Sequence, residues 1–253
     1  MRCWERGICS SLSVPKATYS SCGSSTKPGK EIRGLLARTL WRVLWPAARA
    51  LAVWFPYSLV SRSPLPKGAF VAVINHFSLL DPPVAAVALR RPVRFIALDE
   101  IWGVNPLLDL VLNASDTIPI PRSGPSVRPA LKSALEHLEL GHPLAIFPEG
   151  RRVKAWGDAP LHPGAAWMAI QARVPVVPVA IWGSGKALSM DSMRIRRAAI
   201  RVMVGEAIHS PSYMDCQDPV GTLNEAIRQV LDRQIGRLEA SFSPEYWEDK
   251  GGH

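Results

Sequence analysis

Two short strings about 70 residues apart hold the side chains best suited to chemistry: Asn75-His76-Phe77-Ser78-Leu79-Leu80-Asp81 and Phe147-Pro148-Glu149-Gly150-Arg151-Arg152. Each follows an apolar run. His76 is the type of side chain best placed to move a proton near neutral pH. A carboxylate such as Asp81 can fix the tautomer of an imidazole and stabilise its cation. On a regular helix, positions i and i+5 lie about 140° apart and do not meet. Asp81, however, precedes Pro82-Pro83, the pattern of an N-cap followed by proline at N1. Residues 76–80 then form a strand-to-helix loop, and folding back there brings Asp81 onto the ring. Gly150 permits close backbone approach, and Arg151 and Arg152 can fork onto phosphate or carboxylate. Arg122, after the short apolar run Thr117–Ile120, adds a third guanidinium. Three arginines around a His–Asp pair suit an anionic substrate that presents a hydroxyl. No GxSxG nucleophile elbow occurs, so direct attack by the substrate hydroxyl, with His76 as base, is the simpler chemistry.

The elements that must position these groups alternate in type. Apolar runs at 69–74, 93–97, 117–120, 144–147, 174–181 and 200–204 read as strands. The segments 82–89, 101–112 (interrupted by Pro106), 126–140 and 164–172, and a terminal helix opened by the capping box Thr222-x-x-Glu225, read as helices. Pro175 and Pro178 mark 174–181 as irregular or at an edge. This alternation predicts an α/β fold, a single domain with a central mixed sheet flanked by helices. Both strings fall at strand C-termini, where open α/β sheets place their ligand crevice.

The chain has 253 residues, 47% of them hydrophobic, and a formal charge of +9. Residues 1–60 hold nine Lys/Arg and two acids, a net +7, leaving +2 for the remainder. That distribution disfavours a nucleic-acid partner, which requires a basic face on the folded domain. It suits an anionic membrane surface. Residues 34–60 form the expected contact. Arg38, Arg42 and Arg49 fall within roughly 40° of one another at helical spacing, opposite Leu36, Leu40, Val43, Ala47, Leu51 and Trp54. Three arginines argue against a transmembrane span and for an amphipathic helical segment lying in the interface, kinked or split at Pro46. The expected organisation is a disordered basic leader over 1–33, an interfacial helical segment over 34–60 and the α/β domain over 61–253. Cys3, Cys9, Cys22 and Cys216 show no CxxC spacing, so neither a zinc site nor a disulfide framework is expected. His137, His142, His162 and His209 lack partner spacing and take no role.

The strings have a family likeness. NHFSLLD resembles the NHxSxxD block of the glycerolipid acyltransferases, and FPEGRRV resembles their FPEGTRS block. Arg122 sits where their second block places a substrate-binding arginine, and Val174-Pro175-Val176-Val177-Pro178-Val179 resembles their fourth block. All four occur in order over about residues 65–185. Within that family the chain is most similar to the 1-acylglycerol-3-phosphate acyltransferases. The resemblance implies acyl transfer from acyl-CoA or acyl-carrier protein to the sn-2 hydroxyl of lysophosphatidate, giving phosphatidate. It implies a membrane-associated enzyme on the cytoplasmic face, with no metal and no cofactor beyond that co-substrate. His76 would be the general base and Asp81 its orienting partner. Arg122 and Arg152, with Arg151 as a third cation, would hold the phosphate, and Glu149 and Gly150 would shape the acceptor site. Arg151 stands where the family usually has Thr, and Leu98 where it often has Lys, so the acceptor headgroup is less closely specified than the reaction. Another lysolipid or glycerol-3-phosphate remains a rival acceptor. A non-catalytic membrane-binding protein is the rival from another class.

Overall fold

The structure, a computed structural model, describes residues 54–122, 127–192 and 194–242, together with positions 46 and 50. Seven strands make one sheet: β1 (Tyr57–Arg62), β2 (Val71–Ile74), β3 (Arg94–Leu98), β4 (Ile118–Ile120), β5 (Leu144–Ile146), β6 (Val176–Trp182) and β7 (Ile200–Val204). Their spatial order is β1-β7-β6-β2-β5-β3-β4. Every pairing is parallel except β6 with β7, so the sheet is mixed, as expected. Six α-helices with both ends described accompany it: α1 (Asp81–Leu89), α2 (Pro106–Ala114), α3 (Val127–Glu139), α4 (Gly164–Ala172), the single turn α5 (Ser184–Ala187) and α6 (Pro219–Ala240).

Strand β2 shows why the sheet is central. All four of its residues are fully buried, and they alternate between two cores. Val71 and Val73 join the core built with Leu138 of α3, Met168 of α4 and Leu231 of α6. Ala72 and Ile74 join the opposite core with Phe55, Phe70, Leu89 of α1 and Val202. A strand covered on both faces reads as an uninterrupted apolar run, and 69–74 has that pattern. Because β2, β5, β3, β4 and β6 run parallel, their C-terminal ends share one edge. The antiparallel β7 begins at that edge.

The structure corrects several sequence-based expectations. Tyr57–Arg62 is an edge strand paired with β7, so the helical segment expected to reach residue 60 ends before it. Positions 46, 50 and 54 are helical and exposed. Arg38, Arg42 and Arg49, like the leader, lie outside the described residues. Strand β6 is interior, between β7 and β2, so of the two alternatives for 174–181 the edge is excluded and the irregularity stands. Pro178 is accommodated at an irregularity on the antiparallel side. Val176 bridges Ile208 while Val179 pairs Val204, so three steps along β6 face four along its partner. Proline inside a sheet is confined to such bulges or to edges. Pro106 opens α2 instead of breaking a helix, as its fixed φ and missing N–H allow. Helix α6 starts at Pro219 and is capped by Asp218, whose carboxylate accepts from Gly221 N–H at 2.9 Å. The Thr222/Glu225 capping box therefore does not form, and Glu225 pairs with Arg228 at 2.7 Å.

Candidate active site

The site begins where β2 ends. Asn75 is fully buried, and its side-chain amide pairs with Ile181 on both sides. It accepts from Ile181 N–H at 2.7 Å and donates to Ile181 C=O at 2.9 Å. One side chain thereby continues the β2–β6 ladder and fixes the point at which the loop departs.

In that loop, His76 Nδ1 lies 3.0 Å from Asp81 Oδ2. The same oxygen accepts from Phe77 N–H at 2.7 Å and from Ser78 N–H at 2.6 Å. Asp81 is fully buried, while the His76 side chain is 15% exposed. Asp81 is not the N-cap expected from the sequence. It is the first residue of α1, the cap position is Leu80, and the carboxylate folds back over the loop. The proposed partnership with His76 forms through that fold-back. An anionic acceptor at Nδ1 selects the Nδ1–H tautomer and leaves Nε2 with its lone pair. Ser78 Oγ donates to Leu188 C=O at 2.8 Å and anchors the loop to the segment after α5.

The second string closes on the first through its backbone. His76 N–H donates to Glu149 Oε1 at 3.1 Å, and Val153 N–H donates to His76 C=O at 2.8 Å. The imidazole also stacks on Phe147, with centroids 4.0 Å apart and planes 20° apart. Glu149 is only 2% exposed, and its Oε2 has no hydrogen-bond partner. Burial pushes its pKa up to about 7 against the opposing pull of backbone hydrogen bonds, and the Asp81 charge adds to the rise. A proton on Oε2 is compatible with Oε1 accepting from His76. Gly150 has φ +64°, and a Cβ there would lie 3.0 Å from the His162 ring. Glycine is thus required by conformation first and by the neighbour second.

The arginines divide. Arg152 directly precedes Val153, which is bonded to His76. It is half-buried and has no hydrogen-bond partner among the described residues. Arg151 is exposed and donates to Asp158 C=O at 3.2 Å. Arg122 is on the same sheet edge but is not gathered at the pair. It follows β4, three strand positions from β2 or about 14 Å at the usual strand spacing. Its Nε contacts both oxygens of Glu100, at 2.8 and 3.0 Å, and both side chains are more than half exposed. Leu98 ends β3, between these groups.

Residues 59–182, which contain every one of these groups, match the family model described as Acyltransferase. Just under half of the chain therefore matches an acyltransferase model. The chain is 32% identical over 163 residues to a chloroplastic 1-acyl-sn-glycerol-3-phosphate acyltransferase of Brassica napus, covering 63% of this chain and 47% of that one. It therefore spans about half the length of that plant relative. Another acyltransferase of the same name, from Bacillus subtilis, is 25% identical over 175 residues, covering 67% of this chain and 83% of that one. The crystal structure of the 1-acyl-sn-glycerophosphate (LPA) acyltransferase PlsC from Thermotoga maritima superposes with a TM-score of 0.67. It covers 87% of this chain and 86% of its own, at 21% identity, which is a likeness of fold.

Asn75, Ser78 and Phe147 of the candidate site took no role from the sequence. Their positions inside the two strings were the only signal. Their partners Ile181 and Leu188 and the His76 ring come from folding. Trp182 packs edge-on against Phe77, with centroids 5.6 Å apart.

Proposed function

We propose that this acyltransferase moves a fatty acyl group from a thioester donor, acyl-CoA or acyl-carrier protein, to the sn-2 hydroxyl of lysophosphatidate, giving phosphatidate. The observation that carries the reading is the His76–Asp81 pair. Its Nδ1 side is held by a buried carboxylate, and its Nε2 is left to accept a proton. Nε2 takes the hydroxyl proton as the acceptor oxygen attacks the thioester carbonyl. The tetrahedral intermediate collapses with breakage of the C–S bond. The imidazolium returns the proton to the departing thiolate, so the products are the ester and a free thiol. General-base assistance of this kind contributes typically ~10²–10⁴ in rate. Asp81 stabilises the imidazolium that forms. Arg152 is the cation best placed for the acceptor phosphate. Arg151 is a second, and Arg122 reaches it only by leaving Glu100. Exposed pairs of that kind are worth about 0–1 kcal/mol, so the exchange is inexpensive. Glu149 and Gly150 set the loop that presents His76. The reaction as written requires no metal or further cofactor.

We place the enzyme at the cytoplasmic face of a membrane, held by its basic N-terminal segment. No described helix is long and apolar enough to cross a membrane. A panel of acyl acceptors offered to the purified protein tests the reading. Lysophosphatidate should be the best acceptor, ahead of glycerol-3-phosphate and of lysolipids without a terminal phosphate monoester. Preference for one of those would reassign the acceptor, and no transfer to any would remove the enzymatic reading.

A further inference from the structure

The +2 net charge of residues 61–253 conceals a local concentration. Residues 183–201 contain Lys186, Arg194, Arg196, Arg197 and Arg201 against the single acid Asp191. That is +4 in 19 residues, and the rest of the domain is therefore −2. Two of these cations are engaged by one ring, since Lys186 and Arg201 both lie over Phe242. Arg194, Arg196 and Arg197 are different. All three are exposed, and none has an ion-pair partner among the described residues. Ile195, between them, is 53% exposed.

The backbone fixes where this segment lies. Arg196 N–H donates to Ala187 C=O at 2.8 Å, and Ile200 N–H donates to Pro56 C=O at 3.0 Å. The segment thus runs along the sheet edge at which β6 ends and β7 begins, the edge that carries His76. Ser78 Oγ ties the His76 loop to Leu188 in the same stretch. Two residues before Pro56 is Trp54, 52% exposed at the end of its helix. Leu79, in the same loop as His76, is 36% exposed.

Three guanidiniums without ion-pair partners among the described residues flank an exposed isoleucine, and an exposed indole lies two residues from Pro56, which pairs with Ile200; this matches the chemistry of an anionic bilayer interface. Arginines take lipid phosphates, and Ile and Trp take the boundary beneath them. We propose that residues 194–197 and Trp54 form a lipid-docking patch on the acyltransferase domain itself, separate from residues 34–53, which seats the His76 edge against an anionic membrane. The proposal rests on the reading that the acceptor resides in a bilayer.

The test uses the full chain in three forms: wild type, the triple variant Arg194→Gln/Arg196→Gln/Arg197→Gln, and Ile195→Ser. Co-sedimentation is measured with phosphatidylcholine vesicles, with and without phosphatidylglycerol. With each cation near such a surface worth on the order of 1 kcal/mol, the triple variant should bind phosphatidylglycerol vesicles roughly a hundredfold more weakly. Its binding to neutral vesicles should change little. Ile195→Ser should weaken binding to both. Turnover of a short-chain, water-soluble lysophosphatidate without vesicles should be unchanged in both variants. Wild-type affinity for phosphatidylglycerol vesicles in the triple variant would overturn the patch. So would equal loss of turnover on the soluble acceptor, or a defect confined to an acyl-carrier-protein donor, which would assign the arginines to substrate or to an acidic protein. Intact charge-dependent docking in a wild-type protein that acylates no acceptor would leave the patch standing and remove the enzymatic reading.

Discussion

The backbone N–H of His76 is held by the side chain of Glu149, 3.1 Å away in space and 73 residues away in sequence. The base proposed for catalysis is therefore oriented twice. Its ring is held by Asp81 within its own loop, and its main chain by the second string across the sheet edge. Each restraint predicts a different failure.

His76→Ala should remove transfer and leave the fold, because a 15% exposed side chain on a loop contributes little core. Turnover should fall by at least ~10²-fold, the usual scale of a lost general base. Asp81→Asn should lose both activity and stability. One Asp81 oxygen accepts from the ring and from two backbone amides, and an uncharged amide is a weaker acceptor for all three. A stability loss of about 1–3 kcal/mol is expected, visible as a Tm drop of several degrees. Thermal melts beside single-turnover assays separate the two outcomes. An Asp81→Asn protein with wild-type Tm would show that the fold-back is not held by this carboxylate.

Glu149 and His137 should oppose each other in the pH dependence of stability. Burial raises the Glu149 carboxyl to about 7. Its favourable contribution is complete below its unfolded value near 4.5 and is lost as pH rises towards 7. Burial lowers His137 to about 4, with Arg94 and His142 adding to the effect. Its contribution is complete above 6.5 and is lost as pH falls towards 4. Between about 4.5 and 6.5 the two slopes have opposite sign. Glu149→Gln keeps a carbonyl for His76 N–H and removes the titration. Denaturant melts of this variant should show stability rising with pH across that window more steeply than in wild type, by an amount on the order of 2 kcal/mol. An unchanged slope would mean that Glu149 ionises normally.

The two arginines should separate kinetically. Arg152→Ala should raise KM for lysophosphatidate by at least about tenfold, the scale of a lost charge-assisted contact. It should leave KM for the acyl donor near wild type. Arg122→Ala, which first frees Glu100, should show a smaller rise. An acceptor without phosphate should be used poorly by wild type and be indifferent to both changes. Equal effects on phosphorylated and unphosphorylated acceptors would count against phosphate recognition by either residue.

Gly150→Ala should destabilise by ~1–2 kcal/mol, the cost of holding a non-glycine residue in the left-handed region. His162 is exposed and able to move, so adding His162→Ala should recover little of the loss. Full recovery in the double variant would shift the cause from conformation to steric contact.

The sequence by itself singled out the residues proposed to carry the chemistry, because those side chains sit in short strings whose spacing survives without a fold. It also determined most strands and helices, because an interior sheet requires unbroken apolar runs and helices require their own period. Pairing and direction lay outside its reach. Tyr57–Arg62 alternates weakly and becomes a strand only because β7 offers it a partner. Pro178 marked either an edge or an irregularity, and only the fold chose the second, since the irregularity that excuses its missing N–H is made by Val204–Ile208, at and beyond the end of β7. Asp81 was expected to cap the helix and fold back on His76; the structure keeps the contact with His76, moves Asp81 to the first residue of α1 and adds two backbone amides to its carboxylate. The contact from His76 to Glu149, the anchoring of Asn75 to Ile181, and the parting of Arg122 from Arg152 were all decided by strand order. Strand order is set by which faces bury together over the whole chain, and no local pattern encodes it.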